Sequence, residues 1–287
     1  MNTAMHPHDA ESVDGPAPVW STPTEPRVET LRARPPTSYC YLLDVDKDLA
    51  DEFDQRMRIV VRRIASVPVF DAPVGECDLR RWFDPGPESL GLLVLDGVIA
   101  FDVRVGTRTA TELVGTGDLL QPWSNGDEQL IDRIPAWRVL LPTRIAVLDG
   151  AFTERVRPWP QLGRALLRRV GRRARDLDVQ RAIMCQPRLE VRLALLFWHL
   201  AERWGRVEPS GIHVSLPLTH SLLGRLAGAE RPSISHALAR LADAGLVTGA
   251  AGHWHLHGGL DDQLAQLQRP VERLPHRAAS GAAAPRS

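Results

Sequence analysis

Residues 217–247 read PLTHSLLGRLAGAERPSISHALARLADAGLV and decide the fold of the C-terminal part of this 287-residue chain. Thr219 is suited to cap the N-terminus of a first helix. Gly228 opens a tight turn after it, and Pro232 suits the first turn of a second helix that runs to Ala244. The segment therefore predicts two short helices joined by a turn, the helix-turn-helix arrangement.

The residues around this segment extend it to a winged helix. Ile234, Leu238 and Leu241 recur at helical spacing and are expected to face inward. A short strand is predicted at 212–216. LVTGAAGHWHLHG at 246–258 has two strand-like runs around a glycine turn. A helix-turn-helix followed by such a hairpin predicts a winged helix.

The second helix carries the candidate DNA contacts. A recognition helix enters the major groove of double-stranded DNA with its N-terminal end toward the base edges. Arg231 lies at that end and can bind guanine O6 and N7 with its forked guanidinium group. The alternative is an exposed helical hairpin on which Arg231 is only solvated. The candidate contact residues are Thr219, Arg231, Ser233, Ser235, His236 and Arg240.

The charge distribution favours a nucleic-acid partner, although 35 basic and 35 acidic side chains give a net charge of zero. Residues 1–153 hold 15 basic and 24 acidic side chains, a charge of −9. Residues 154–258 hold 16 basic and 8 acidic side chains, a charge of +8. Residues 259–287 hold 4 basic and 3 acidic side chains, a charge of +1. The local basic excess lies on the predicted dimerisation helix and winged helix taken together, where it can meet phosphate.

A long helix is predicted ahead of the winged helix, over residues 161–185. Its apolar stripe consists of Leu162, Leu166, Val170, Leu177 and Met184. A narrow stripe on a long helix favours pairing with a second copy of the chain. The alternative is packing against the chain's own β module. A second, very apolar helix is predicted over 191–204.

An all-β module is predicted from residue 67 onward, because short apolar runs alternate there with glycine, proline and aspartate. Asp96-Gly97 is a strong hairpin signal, and a second turn is expected near Gly106. Pro142-Thr143 is expected to separate two further short strands. One or two short helices are predicted over 47–65.

These parts, in this order, resemble the Crp/Fnr family of transcription regulators. The resemblance rests on GLLVLDGVIAFDV at 91–103, ELVGTGDLL at 112–120 and the helix-turn-helix at 219–247. It implies an α+β chain with an N-terminal antiparallel β-roll of the cyclic-nucleotide-binding type, a long dimerisation helix and a C-terminal winged helix-turn-helix. It also implies a cytoplasmic homodimer that binds a near-palindromic operator and RNA polymerase, and no membrane.

The predicted division of the chain follows this layout. Residues 1–38 are a flexible tail, 39–153 the β-roll sensor domain, 154–186 the dimerisation helix, 187–258 the winged helix-turn-helix domain and 259–287 a C-terminal tail.

The resemblance also assigns reading positions on the recognition helix. In the family an arginine opens this helix and reads guanine, and Arg231 occupies that position. His236 matches a second reading position. Pro232 matches a third but has no donor, which leaves the half-site preference open there.

The sequence identifies no effector and no cofactor for the β-roll. Family members that bind cyclic AMP hold its phosphate with an arginine and a small hydroxyl residue, but Ile134-Pro135 stand there. Gln121-Pro122-Trp123 replace the glycine–glutamate pair that the ribose needs. Ordinary cyclic AMP binding is therefore not expected. The alternative to an effector-sensing regulator is a ligand-independent regulator or architectural DNA binder with a degenerate effector pocket.

Cofactor and enzyme interpretations have little support. An iron–sulfur sensor needs four cysteine ligands, whereas the chain has three, Cys40, Cys77 and Cys185, expected to be buried free thiols. Haem has no positive signal. Asp44-Val45-Asp46-Lys47-Asp48 starts like a calcium loop but lacks the glycine that such a loop requires.

The alternating histidines of the predicted wing are the remaining metal candidate. His253, His255 and His257 could bind zinc and support a hydrolase. The favoured interpretation is that Trp254 and Leu256 pack inward and the histidines are solvated. No catalytic residue is therefore predicted.

Overall fold

Strands dominate the first half of the chain and helices the second, as the predicted α+β class requires. The computed structural model describes residues 38–82, 88–122, 131–250 and 252–268. The helices are α1 Leu42–Val45, α2 Lys47–Ala50, α3 Gln55–Ile64, α4 Gly150–Val156, α5 Pro160–Met184, α6 Leu189–Trp204, α7 His220–Ala227, α8 Arg231–Asp243 and α9 Leu260–Gln268. The strands are β1 Ser38–Tyr41, β2 Ser66–Ala72, β3 Gly75–Glu76, β4 Gly91–Val105, β5 Arg108–Gly115, β6 Leu119–Leu120, β7 Arg133–Leu148, β8 Gly205–Glu208, β9 Gly211–Val214, β10 Val247–Ala250 and β11 His253–Leu256. The tail predictions for 1–37 and 269–287 lie outside the described residues.

The β-roll is one antiparallel sheet with the strand order β1-β2-β7-β4-β5. β3 pairs with β7 and β6 with β4 at its margins. The sheet is built on two long strands, β4 of 15 residues and β7 of 16. They pair from Gly91 opposite Leu148 to Val105 opposite Arg133. The prediction of many short strands is therefore wrong for these two, since Pro142-Thr143 does not interrupt β7.

Asp96-Gly97 does not form a hairpin turn, so that prediction is wrong as well. β4 continues through it, and the register with β7 shifts on both sides of Asp96, which is a β-bulge. Gly97 has a φ of +94°, and a Cβ there would lie 2.4 Å from the Pro142 carbonyl oxygen. Glycine at this position allows β4 and β7 to approach each other closely. The chain reverses at the second predicted turn, where Gly106 has a φ of +57°.

The two faces of the sheet bury different cores, because side chains alternate along a strand. One face forms a cluster that we call the roll interior. Its members are Phe70, Ala72, Leu79, Leu92, Val94, Ile99, Val114, Leu120, Trp137, Val139, Ile145 and Val147. The opposite face of β4 places Leu93 against the helices that flank the roll and Val98 and Ala100 against the C-terminal domain.

The predicted long helix is α5, and residues before it form the separate helix α4. Asp149 caps α4 by accepting a hydrogen bond from the Phe152 amide at 2.7 Å. Within the predicted stripe of α5, Leu162 and Leu166 are buried against the β-roll of their own chain. Val170 is instead 45% exposed. The stripe is therefore divided between two surfaces.

Helix α9 occupies part of the segment predicted as a C-terminal tail, so the prediction for 259–287 is wrong over Leu260–Gln268. Buried Gln263 accepts a hydrogen bond from Trp198 Nε1 at 3.0 Å. It also donates to the carbonyl oxygens of Leu246 and His257. This one polar side chain therefore has three partners that tie the helix to the domain, and a periodicity argument does not detect it.

The three cysteines form no disulfide bond in the described structure. Cys40 and Cys77 are half-buried and Cys185 is exposed, so the expectation of burial is wrong for Cys185. Burial raises the pKa of the Cys40 thiol. Among the described residues, no helix combines the length and the apolar character needed to span a bilayer.

Candidate nucleic-acid interface

Helices α7 and α8 have the caps that the sequence predicts. The Thr219 hydroxyl accepts a hydrogen bond from the Leu222 amide at 3.2 Å, which starts α7. Gly228 ends it with a φ of +64°. Gly224 allows α7 and the turn to approach, because a Cβ there would lie 2.6 Å from the Ala229 carbonyl oxygen. The predicted helix-turn-helix is confirmed.

The inner face of α8 is also as predicted. Ile234 and Leu241 are fully buried and Leu238 nearly so. They pack in the core of the C-terminal domain together with α6 and Trp254. This packing fixes which side of α8 faces away from the protein.

The outer side of α8 presents free donors at its N-terminal end. Arg231, Ser233 and His236 are exposed. Among the described residues, the structure gives no hydrogen bond or ion pair to these three side chains. A guanidinium, a hydroxyl and an imidazole group are thus free to meet base edges or phosphates.

Two other candidate contacts are engaged inside the domain. The Ser235 hydroxyl lies 2.8 Å from His220 Nδ1 and donates to the Arg231 carbonyl oxygen. Arg240 forms an ion pair with Glu190 on α6. These groups stabilise the position of α8. The sequence reasoning missed His220, whose only signal is its place at the first residue of α7.

The wing consists of β10 and β11, with β9 and β8 completing a four-stranded sheet. Trp254 and Leu256 are buried, so the predicted inward packing is confirmed. His255 Nε2 lies 3.1 Å from the Ser210 carbonyl oxygen, and His257 Nε2 lies 2.8 Å from the Thr248 hydroxyl. Within the described ranges, no group of three or more histidine, cysteine or carboxylate side chains is arranged to hold a metal ion.

The β4–β5 hairpin of the roll contacts the helix-turn-helix directly. Arg225 on α7 donates to Asp102 at 3.2 Å and lies 3.1 Å from the Thr111 hydroxyl. At the hairpin tip, Arg108 forms an ion pair with Glu230, the N-cap residue of α8. The recognition helix therefore begins beside a charge from the β-roll. Sequence reasoning missed this pair, whose members are 122 residues apart.

Helix α5 exposes an apolar face on the side away from the roll. Leu167 is 69% and Val170 45% exposed. We call this face the apolar seam; it consists of the exposed residues Gly163, Leu167, Val170 and Ala174. The alternating steps of four and three residues are the spacing of a two-helix interface.

Comparison with known proteins gives the C-terminal domain its identity. Residues 191–257 match the family model of the Crp-like helix-turn-helix domain. The chain carries a Crp-like helix-turn-helix domain. This domain assigns the chain to the DNA-binding transcription regulators. No curated protein sequence matches the chain significantly.

Solved structures show the same fold around the Crp-like domain. FixK2 from Bradyrhizobium japonicum has 14% identity and a TM-score of 0.53, with 69% of this chain and 96% of that one covered. A CooA mutant from Carboxydothermus hydrogenoformans has 16% identity and a TM-score of 0.53, with 82% of this chain and 98% of that one covered. A Crp/Fnr-family regulator from Thermus thermophilus has 20% identity and a TM-score of 0.50, with 69% of this chain and 98% of that one covered. The predicted resemblance to Crp/Fnr regulators is confirmed, since the fold is shared and the Crp-like domain matches.

Proposed function

We propose that this chain is a homodimeric, sequence-specific regulator of transcription that binds a near-palindromic operator. The observation that carries the proposal is the exposed N-terminal end of α8, where Arg231, Ser233 and His236 have free side chains. The matched Crp-like domain supports placing this end in the major groove. Arg231 would read a guanine through O6 and N7.

The apolar seam of α5 supports the homodimer. Exposed leucine and valine side chains at coiled-coil spacing bury their surface when a second copy pairs with them. A two-fold dimer presents two recognition helices, so the operator would have two half-sites about one helical turn apart, roughly 34–36 Å. RNA polymerase would be the further partner of the bound dimer.

The β4–β5 hairpin supports regulation through the β-roll. It holds α7 through Asp102 and Thr111, and the start of α8 through Arg108. An effector that bound one arrangement of this hairpin more tightly would shift the population of that arrangement. The change would reorient the winged helices and alter their affinity for the operator.

The test is selection of binding sites from random-sequence double-stranded DNA, followed by titration of the best operator. We expect Arg231→Ala to weaken operator binding by about 1–3 kcal/mol and to relax preference at one base pair. Arg206→Ala, on the exposed strand β8, is the matched control and should retain operator affinity within about twofold. Equal operator binding by Arg231→Ala and wild type would contradict the role of Arg231.

A second candidate function is a ligand-independent regulator or architectural DNA binder. The apolar packing of the roll interior favours it, because Trp137 stacks on Phe101 with ring centroids 3.9 Å apart. Its cluster consists of apolar side chains, and Ile134 offers no donor to a phosphate. Calorimetry against a nucleotide panel, with operator affinity measured alongside, separates the two functions. A nucleotide that changes operator affinity tenfold would eliminate this candidate.

A further inference from the structure

A cavity of about 640 Å³ lies outside the roll interior, between the long helix, the first helix of the C-terminal domain and the β-roll. We call it the junction cavity. α5, α6, the end of β5 and residues 45–48 line it, and Leu226 of α7 contributes from the helix-turn-helix. Its volume is within the range of about 300–1,000 Å³ that holds small molecules.

One part of the lining is apolar. Six leucines from five helices and strands contribute to it: Leu95, Leu113, Leu177, Leu196, Leu200 and Leu226. Four of them are buried in the core that joins the hairpin to the Crp-like domain, namely Leu113, Leu196, Leu200 and Leu226. A ligand with an apolar body could therefore bury that body against this surface.

The other part is a group of four arginines around the turn at 115–118. Three have carboxylate partners at 2.6 to 2.8 Å: Arg169 with Asp46, Arg173 with Glu112 and Arg203 with Asp118. Burial lowers the pKa of Arg173, but its hydrogen bonds with Glu112 and the charges of Glu112 and Asp118 outweigh it and the pKa is raised. These three guanidinium groups are fixed cations with their charge already balanced.

Arg172 is the fourth arginine, and among the described residues the structure gives it no ion pair or hydrogen bond. A Cβ at Gly117 would lie 3.1 Å from an Arg172 nitrogen and 3.3 Å from an Arg169 nitrogen. Two guanidinium groups thus converge on a glycine, with the Asp46 carboxylate bound to one of them. An acidic ligand group at Arg172 would give this guanidinium the charged partner that it lacks among the described residues.

Other charged side chains also line the junction cavity. They are Lys47, Asp48, Asp176, His199 and Glu202. Asp48 and Glu202 are 78% and 79% exposed, so water screens their charges. Arg172 is exposed as well, but it is the arginine of this group for which the described residues provide no ion-pair partner.

We propose that the junction cavity binds a small organic anion with an apolar body, whose acidic group meets Arg172 and whose body packs on the leucines. This inference rests on the proposed function, because it assigns the effector of the regulator to this cavity instead of the roll interior. Three parts of the chain form the cavity together. An occupant therefore stabilises the arrangement in which the hairpin is docked on the Crp-like domain.

The test uses 8-anilinonaphthalene-1-sulfonate, which has an apolar aromatic body, one sulfonate and a fluorescence signal on burial. The full-length protein is titrated as wild type, Arg172→Glu, Thr116→Trp and Arg164→Glu. Arg172→Glu reverses the charge that would hold the sulfonate, and Thr116→Trp places a bulky side chain in the lining. Arg164→Glu is the matched control, since Arg164 is exposed on α5 and is absent from the cavity lining. Operator affinity is measured for each form with and without the probe.

We expect wild type to bind one probe per chain. Arg172→Glu should bind the probe at least tenfold more weakly, and Thr116→Trp should not bind it. The probe affinity of Arg164→Glu should differ from that of wild type by no more than twofold. Saturating probe should change the operator affinity of wild type at least threefold and leave that of Arg172→Glu unchanged. Wild-type probe binding by Arg172→Glu, or unchanged operator affinity in the saturated wild type, would overturn the proposal while the proposed function stands. Absence of operator binding in every form would instead refute the proposed function.

Discussion

The two faces of α5 differ in the kind of contact that they make. One face reaches its own chain through polar side chains: Arg169 and Arg173 bind carboxylates, and Gln180 donates to the carbonyl oxygens of Thr111 and Leu226. The other face is the apolar seam, where Leu167 is 69% exposed. The directional polar contacts specify the fold of one chain. The seam is exposed apolar surface that packs against no other part of the chain among the described residues.

The difference teaches how a helix is divided between folding and assembly. The Arg169 side chain is 5% exposed and that of its partner Asp46 is 11% exposed, so Asp46 would be a buried unpaired charge without Arg169. Exposed apolar side chains on a long helix carry no such penalty, but they leave surface that a second copy can bury. Each face can therefore be disrupted separately.

The largest effect is expected on the polar face. Arg169→Met leaves Asp46 buried without its partner and should lower the free energy of unfolding by about 3 kcal/mol, as for other broken buried pairs. Urea denaturation at one fixed protein concentration measures it. Arg164→Met is the control and should change stability by less than about 0.5 kcal/mol.

A second substitution sharpens this result. Asp46→Asn, added to Arg169→Met, removes the unpaired charge and keeps a side chain that can cap α2. We expect it to restore about half of the lost stability. A loss below about 1 kcal/mol in Arg169→Met alone would show that the pair does not hold α5 to the roll.

The next effect is expected on the apolar seam. Leu167→Glu places a carboxylate from each copy in the dimer interface and should weaken dimerisation on the order of 100-fold, which is about 2.7 kcal/mol. Sedimentation velocity over a concentration series measures it. Ala182→Glu adds the same charge at an exposed position outside the seam, 15 residues further along α5 and about 60° around the helix from Leu167, and should leave the dimer intact. If Leu167→Glu dimerises as strongly as wild type, the seam is not the dimer interface.

The smallest effect is expected at Gln180, which joins α5 to both the hairpin and α7. Gln180→Leu leaves two carbonyl oxygens without this donor and should cost about 1 kcal/mol. The free energy of unfolding is again the measurement. Gln186→Leu is the control, because the described structure gives the Gln186 side chain no hydrogen bond. Equal stability of the two variants would show that Gln180 does not couple these parts.

The helix-turn-helix was predictable because its determinants are local. A hydroxyl at Thr219 and a left-handed Gly228 define the ends of α7 within a few residues of sequence. Pro232 and the spacing of Ile234, Leu238 and Leu241 define α8. None of these features depends on a distant part of the chain, so the sequence is sufficient for them.

The β-roll was harder to predict because distant partners decide its details. Asp96-Gly97 suits a turn and a bulge equally well, and only pairing with β7, far along the chain, distinguishes them. The division of the α5 stripe has a geometric origin. Each four-residue step rotates a side chain by about 40°, so Val170 has turned away from the surface that buries Leu162.

The contacts between the roll and the Crp-like domain could not be predicted. Arg108 and Glu230 are separated by 122 residues, and Arg108 lies outside the motifs that the sequence offers. Arginine is the common cation throughout this chain, so an individual arginine carries little information in the sequence. Its role is defined by the carboxylate or carbonyl that the fold brings to it.

The length of β4 gives the hairpin a mechanical role. Beyond the bulge at Asp96, eight residues from Val98 to Val105 run to the tip, a rigid arm of about 25 Å. A rotation of about 5° at the bulge would displace the tip by about 2 Å over such an arm. That displacement exceeds the tolerance of a hydrogen bond. An arm of this length would work as a lever, since a slight tilt at the bulge would separate Arg108 from Glu230 at the start of the recognition helix.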